Sequence, residues 1–92
     1  MSFEWDARKA EENLEKHGVD FTDAIAIFDG PTLEREDARR DYGERRIQTL
    51  GWARGAVLFV VYTWRGGTRR IMSARGASRY EGEAYRQAFP KP

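Results

Sequence analysis

The chain contains no cysteine and a single histidine, His17. The first absence removes disulfide frameworks, thiolate zinc sites and cysteine nucleophiles together, and fits a reducing cytosol. The second, with most carboxylates gathered in one half of the chain, leaves no metal-ligand spacing, so neither a metal nor any other cofactor is expected. A glycine-rich phosphate loop and a nucleophile triad are also missing. No stretch approaches the roughly 18 apolar residues of a membrane span. The N-terminal segment MSFEWDARKAEENLEKHG is polar and acidic rather than basic and then apolar. Neither export nor a membrane is therefore expected, and the location read from the sequence is cytoplasmic. Repeats, low-complexity tracts and linkers are absent as well, so residues 1–92 read as one domain.

What is present suits one core. Apolar residues make up 40% of the chain and aromatics 13%, while 34% charged residues are enough to solvate the outside. A domain of this length buries only about two thirds of the surface its unfolded chain exposes. The net charge of +1 conceals a division. Residues 1–38 carry 4 basic and 11 acidic groups, or −7, whereas residues 39–92 carry 12 basic and 4 acidic groups, or +8. Eleven of those twelve basic groups are arginine. The planar guanidinium can grip a phosphate with two hydrogen bonds, which suits a polyanion as partner. Pairing between the two halves of the chain is the alternative.

Periodicity outlines the elements. Phe3 and Trp5 alternate with polar neighbours as in a short half-buried strand. Asp6 can cap a helix over Ala7–His17, with Ala7, Ala10 and Leu14 at helical spacing and Gly18 as its left-handed stop. A second helix is expected after Asp20, where Phe21, Ala24, Ile25 and Phe28 would face the core, until Asp29, Gly30 and Pro31 end it. Residues 32–43 read as a short edge strand and a charged loop, expected to be mobile. Three strands follow at 44–53, 56–64 and 69–75, joined by turns at Arg54-Gly55 and Gly66-Gly67. The middle one is apolar on both faces and should be central. Alternation groups Arg46, Gln48 and Leu50 on one side, and Arg69, Ile71, Ser73 and Arg75 on one side. Ser78 and Glu81 form a capping box for a last helix that ends near Phe89. The fold class expected is α+β, a twisted antiparallel meander with two N-terminal helices and one C-terminal helix.

The strings FEWDARKAEENLEKHGVDF, GERRIQTLG, VVYTWRG and RIMSARGASRYEGEAY, in this order and spacing, resemble the BrnT family of bacterial toxins. They cover most of the chain. The resemblance implies a RelE-like ribonuclease fold, inhibition of translation by RNA cleavage, and a BrnA-type antitoxin that neutralises the toxin and represses their shared operon. It also implies a dimer of toxin-antitoxin pairs that meets operator DNA only through the antitoxin. The family pattern carries onto His17, Glu44, Arg46, Thr63, Arg65, Arg70, Ser73, Arg75, Glu81 and Tyr85. Arg45 and Gly76 depart from it.

RNA cleavage without a metal uses the 2′-hydroxyl of the substrate as nucleophile. The protein must then supply a base, stabilise the crowded phosphate and assist the leaving oxygen. Arg46, Arg65, Arg70 and Arg75 fall on neighbouring β-segments and suit the second task, unless they pair with Glu34, Glu36, Asp37 and Asp41. Glu44 is two residues before Arg46 and would share its side of a strand, as a base or as a strand-end ion pair. His17 could move a proton or merely complement a helix C-terminus. Tyr85 could donate to RNA or pack its ring. Trp52, Trp64 and Tyr62 could stack bases, although Tyr62 reads as core. The catalytic set expected is Glu44, Arg46, Arg70, Arg75 and His17, with Arg45, Arg65, Arg69, Arg79 and Tyr85 as RNA contacts. A nucleic-acid-binding module without catalysis, or a domain whose basic face binds an acidic protein, would use the same surface.

Overall fold

Asp6 closes the first strand, β1 (Ser2–Glu4), and starts the first helix, α1 (Ala7–His17). Its carboxylate accepts from the Arg8 and Lys9 amides at 2.9 and 3.1 Å, and these two bonds hold its pKa below the usual carboxylate range. Gly18, at φ 71°, ends the helix in the left-handed conformation that its spacing predicts. The computed structural model describes residues 1–37 and 43–90. The charged loop expected before the meander, with Asp41 and Tyr42, falls mainly on residues 38–42, outside the described residues.

The remaining elements are α2 (Phe21–Ala24), a 3-10 turn (Ile25–Asp29), β2 (Thr32–Glu36), β3 (Arg46–Ala53), β4 (Ala56–Arg65), β5 (Thr68–Gly76) and α3 (Arg79–Ala88). The strands form one sheet in the order β1-β5-β4-β3-β2. The class is α+β, with β4 central and β2 at an edge as expected. The sheet is mixed, however, and not purely antiparallel, because β1 runs parallel to β5 with Phe3 opposite Arg69. A purely local reading of alternation contains no information about that pairing. No helix among the described residues is long and apolar enough to cross a membrane.

The second helix is also corrected. It makes a single α-turn and then tightens into a 3-10 turn. In that geometry residues three apart eclipse, so Ile27 joins Phe21, Ala24 and Phe28 in the core, the last three as expected, while Ile25 is only partly buried. Ile27 fits because β3 carries Gly51 opposite it, where any Cβ would lie 2.5 Å from the Ile27 Cβ. Phe21 and Ile27 are fully buried with Val60, Tyr62 and Ile71, and each such side chain stabilises the fold by about 1.5–3 kcal/mol. On α1 the expected Ala10 packs against the core, but Leu14 is 47% exposed and the buried residue is Asn13.

Two faces of the sheet result. One is covered by α1, α2 and the 3-10 turn. The other is covered only in part, where Tyr85 and Phe89 of α3 pack on Leu50, Val57 and Phe59. A register shift decides which arginines go where. Val61 pairs with Ser73 but Tyr62 pairs with Ile71, so Met72 is an inserted residue in β5. An extra residue reverses the sides of everything beyond it. Arg69 and Ile71 therefore face the α1 side while Arg70, Ser73 and Arg75 face the α3 side. The expectation that Arg69, Ile71, Ser73 and Arg75 share a side is wrong for this reason.

Candidate functional site

On the α3 side the register lines residues up in rows across the strands. Arg46 of β3 is opposite Thr63 of β4, which is opposite Arg70 of β5, which is opposite Glu4 of β1. The next row is Arg35, Gln48, Val61 and Ser73, and the one after it Leu33, Leu50, Phe59 and Arg75. Alternation does for β2 and β4 what it does for β3: it brings Arg35 and Arg65 to the face that already holds Arg46. Five arginines on five-stranded scaffolding, three of them in strands flanking Thr63, give this face its basic character.

Local contacts fix the row ends. The Thr63 hydroxyl donates to the Arg45 carbonyl at 2.6 Å, which ties the chain just before β3 to β4. Glu44 sits in the bend before β3, rather than in the strand, and reaches back between two cations. Its Oε1 lies 3.9 Å from Arg46 Nε and its Oε2 3.6 Å from Arg65 Nη2. These are loose pairs, long enough for a phosphate oxygen to compete. Beside them a hollow of about 310 Å³ is lined by Glu44, Arg45, Ile47, Thr63 and Trp64. Arg70 is held more closely, with Nη1 2.6 Å from Glu4 Oε2.

Arg75 is the most constrained of the set. Its two terminal nitrogens meet both oxygens of Glu81 at 2.9 and 3.0 Å, and its guanidinium lies 4.1 Å over the Phe59 ring. Glu81 also completes the capping box with Ser78. The Arg75 hydrogen bonds hold the Glu81 carboxyl down at about 2, against burial, which acts the other way. The partners expected for these arginines were Glu34, Glu36, Asp37 and Asp41, of which Asp41 lies outside the described residues; Glu4, Glu44 and Glu81 pair with them. Of the expected acids, Glu36 pairs with Arg45 at 2.8 Å.

Other expected site residues lie elsewhere. Arg69 enters an aromatic box on the α1 side, 4.3 Å from the Phe28 centroid, 4.5 Å from Trp64 and 5.2 Å from Tyr62. Tyr62 is core, donates to Glu34 at 2.5 Å, and has its pKa raised by burial and by that carboxylate. His17 occupies the exposed last turn of α1, on the helix-covered side. Tyr85 is 5% exposed and donates to the Pro31 carbonyl at 2.9 Å, so its ring is core and its hydroxyl is engaged. Arg79 projects into solvent and meets Glu83 at 3.4 Å. The sequence reading missed Arg35, Glu4 and Tyr80. The only signal for Arg35 was its place two residues from Leu33 in an edge strand.

Among the described residues no three His, Asp or Glu side chains form a group that could hold a metal ion. What the face can do chemically is bind anionic oxygens with fixed donors and present one carboxylate, Glu44, between them. Residues 5–81 match the family described as ribonuclease toxin, BrnT, of type II toxin-antitoxin system. The matched span contains Arg46, Thr63, Arg70 and Arg75 and stops before Tyr85. A search of curated proteins finds no match.

Proposed function

The chain belongs to the BrnT family of ribonuclease toxins of type II toxin-antitoxin systems, and from that premise we propose that it is a metal-independent endoribonuclease whose active face is the arginine row on the side of the sheet that α3 covers only in part. Glu44 takes the proton of the 2′-hydroxyl as the 2′-oxygen attacks the adjacent phosphorus. The bond to the 5′-oxygen breaks, leaving a 2′,3′-cyclic phosphate and a 5′-hydroxyl that takes its proton from water. Arg46, Arg65 and Arg70 meet the charge that builds on the phosphate oxygens, with Arg75 held ready by Glu81. His17 and Arg69 have no part in this step.

The observation that carries the reading is the Arg46–Thr63–Arg70 row with Glu44 between Arg46 and Arg65. Family membership supports the rest as expectation: one toxin domain over residues 1–92 with a RelE-like fold, cytoplasmic action that halts translation, and a BrnA-type antitoxin. That antitoxin covers the arginine face, forms a dimer of toxin-antitoxin pairs and alone contacts operator DNA. A second reading is favoured by the carboxylates already seated on Arg70 and Arg75. In it the face binds nucleic acid or an acidic protein without cutting.

The experiment is cleavage of bulk RNA by purified protein in the presence of EDTA. Cleavage that disappears in the folded Arg70→Ala, Arg75→Ala double variant supports a nuclease. Intact RNA with binding retained at low salt, where phosphate contacts are strongest, would select the second reading.

A further inference from the structure

Between the edge strand β2 and helix α3 a groove of about 340 Å³ opens on the same face as the arginine row. Its floor is apolar, made by Leu33, Leu50 and Phe59, which share one row of the sheet. Tyr80 forms one wall and is 81% exposed, a large ring that the core does not use. The groove falls in the size range of small-ligand clefts.

The polar atoms along it are unevenly disposed. Arg35 Nε donates to Gln48 Oε1 at 2.8 Å, which turns that oxygen toward Arg35 and leaves the carboxamide NH2 and the rest of the Arg35 fork as donors. Both oxygens of Glu81 are taken by Arg75. Glu34 turns to the other face, where it accepts from Thr49 and Tyr62. The charged and carboxamide side chains of the groove thus point donors toward a ligand, while the Gln48 and Glu81 oxygens are turned to Arg35 and Arg75.

The geometry points to a binding site for one unpaired nucleobase, and to a keto base, guanine or uracil, over adenine or cytosine. This rests on the nuclease reading and deepens it. A flat ring stacks against Tyr80 over the apolar floor. Guanine O6 and N7, or uracil O4, accept from Gln48 and Arg35, as such carbonyl and ring-nitrogen edges do from side-chain donors. The amino groups of adenine and cytosine would face donors and be left unpaired, which is the contact that discriminates. Two strand residues, about 7 Å, separate Gln48 from Arg46. The base that is read therefore belongs to a nucleotide beside the one that is cut.

The test uses 2′-O-methyl hexanucleotides, which cannot be cleaved, identical except for A, C, G or U at one central position. Their affinities are read by fluorescence anisotropy at low salt. Guanine and uracil are expected to bind about ten-fold tighter than adenine and cytosine. Tyr80→Ala should weaken all four about ten-fold, because stacking is indifferent to the base. Gln48→Leu should remove the discrimination, and the exposed Arg35→Gln should do the same if Gln48→Leu does not fold. Equal affinity for the four bases in a protein that still cuts RNA overturns the base site alone. Loss of antitoxin binding by Tyr80→Ala with unchanged RNA affinities would assign the groove to the protein partner and overturn it too. Failure both to bind any hexanucleotide and to cut RNA removes the nuclease reading, and this inference with it.

Discussion

The carboxamide of Asn13, in the middle of α1, closes on the backbone of Ala74 in β5, donating to its carbonyl at 2.8 Å and accepting from its N–H at 3.0 Å. Strand β1 pairs β5 over Thr68–Arg70, and beyond that stretch the outer edge of β5 has no strand partner among the described residues. Asn13 takes that place with a side chain, and it secures the segment that carries Arg75.

Replacing Asn13 by Ala should therefore destabilise the protein by about 2–4 kcal/mol, since buried backbone groups of Ala74 lose their partner. Asn13→Asp keeps an acceptor for the Ala74 N–H but sets a carboxylate against the carbonyls of Ala74 and Val19, and should be at least as damaging. Equilibrium urea unfolding measures both. A loss below about 0.5 kcal/mol for Asn13→Ala would mean that water replaces the amide freely.

Gly51→Ala adds one methyl group where the Ile27 Cβ stands 2.5 Å away. Backbone of the 3-10 turn would have to move off the sheet, and overpacking of this kind costs about 1–3 kcal/mol. Combining it with Ile27→Ala should recover part of the Gly51→Ala cost, a coupling that a double-mutant cycle resolves. Strict additivity would place the strain elsewhere.

Acid stability should depend on Glu81. Its folded pKa of about 2 lies below the ordinary 4.5 of a glutamate, so the ionised form is favoured by folding. The contribution is fully present above about pH 4.5 and is lost as pH falls toward 2, when the unfolded chain takes up the proton first. With its side chain 22% exposed, the effect is on the order of 2–3 kcal/mol. Glu81→Gln should flatten the decline in urea midpoint over that interval relative to wild type, while lowering stability near neutrality. An unchanged slope would show that Arg75 does not hold this carboxylate in solution.

Much of this architecture is legible because it is written in neighbouring residues. Asp6 and Gly18 bound α1, Ser78 and Glu81 cap α3, and Arg54 with Gly55, both at positive φ, make the tight turn between β3 and β4. Features that depend on distant partners are not legible in the same way. The parallel β1–β5 pair joins residues 66 apart in sequence, and the Met72 insertion carries no glycine or proline to mark it. That one residue misassigned Arg69, because side-chain direction beyond a bulge is set by the partner strand. Asn13 was hidden for another reason: a polar residue inside a helix reads as wet until the strand edge it serves is known. For the candidate site, alternation on β3 gave Arg46 and Gln48 correctly, whereas Arg35 and Glu4 entered only through cross-strand register.

The two adjacent arginines of β5 offer the sharpest separation of chemistry from folding. Arg70 faces the α3 side in the row with Arg46 and Thr63, and Arg69 faces the aromatic box of Phe28, Tyr62 and Trp64. Arg70→Ala should lower the rate of RNA cleavage by about 10²–10³-fold, the loss seen when one donor to a developing oxyanion is removed. Its unfolding midpoint should change little, because a half-exposed ion pair with Glu4 contributes only about 0–1 kcal/mol. Arg69→Ala should do the reverse, destabilising the junction of β1 and β5 by about 1–2 kcal/mol through lost cation–π contacts while the folded fraction still cuts. Parallel cleavage assays and urea titrations on the two variants decide the matter. If Arg69→Ala abolished cleavage at full stability and Arg70→Ala did not, the reacting phosphate would have to lie on the other face of the sheet.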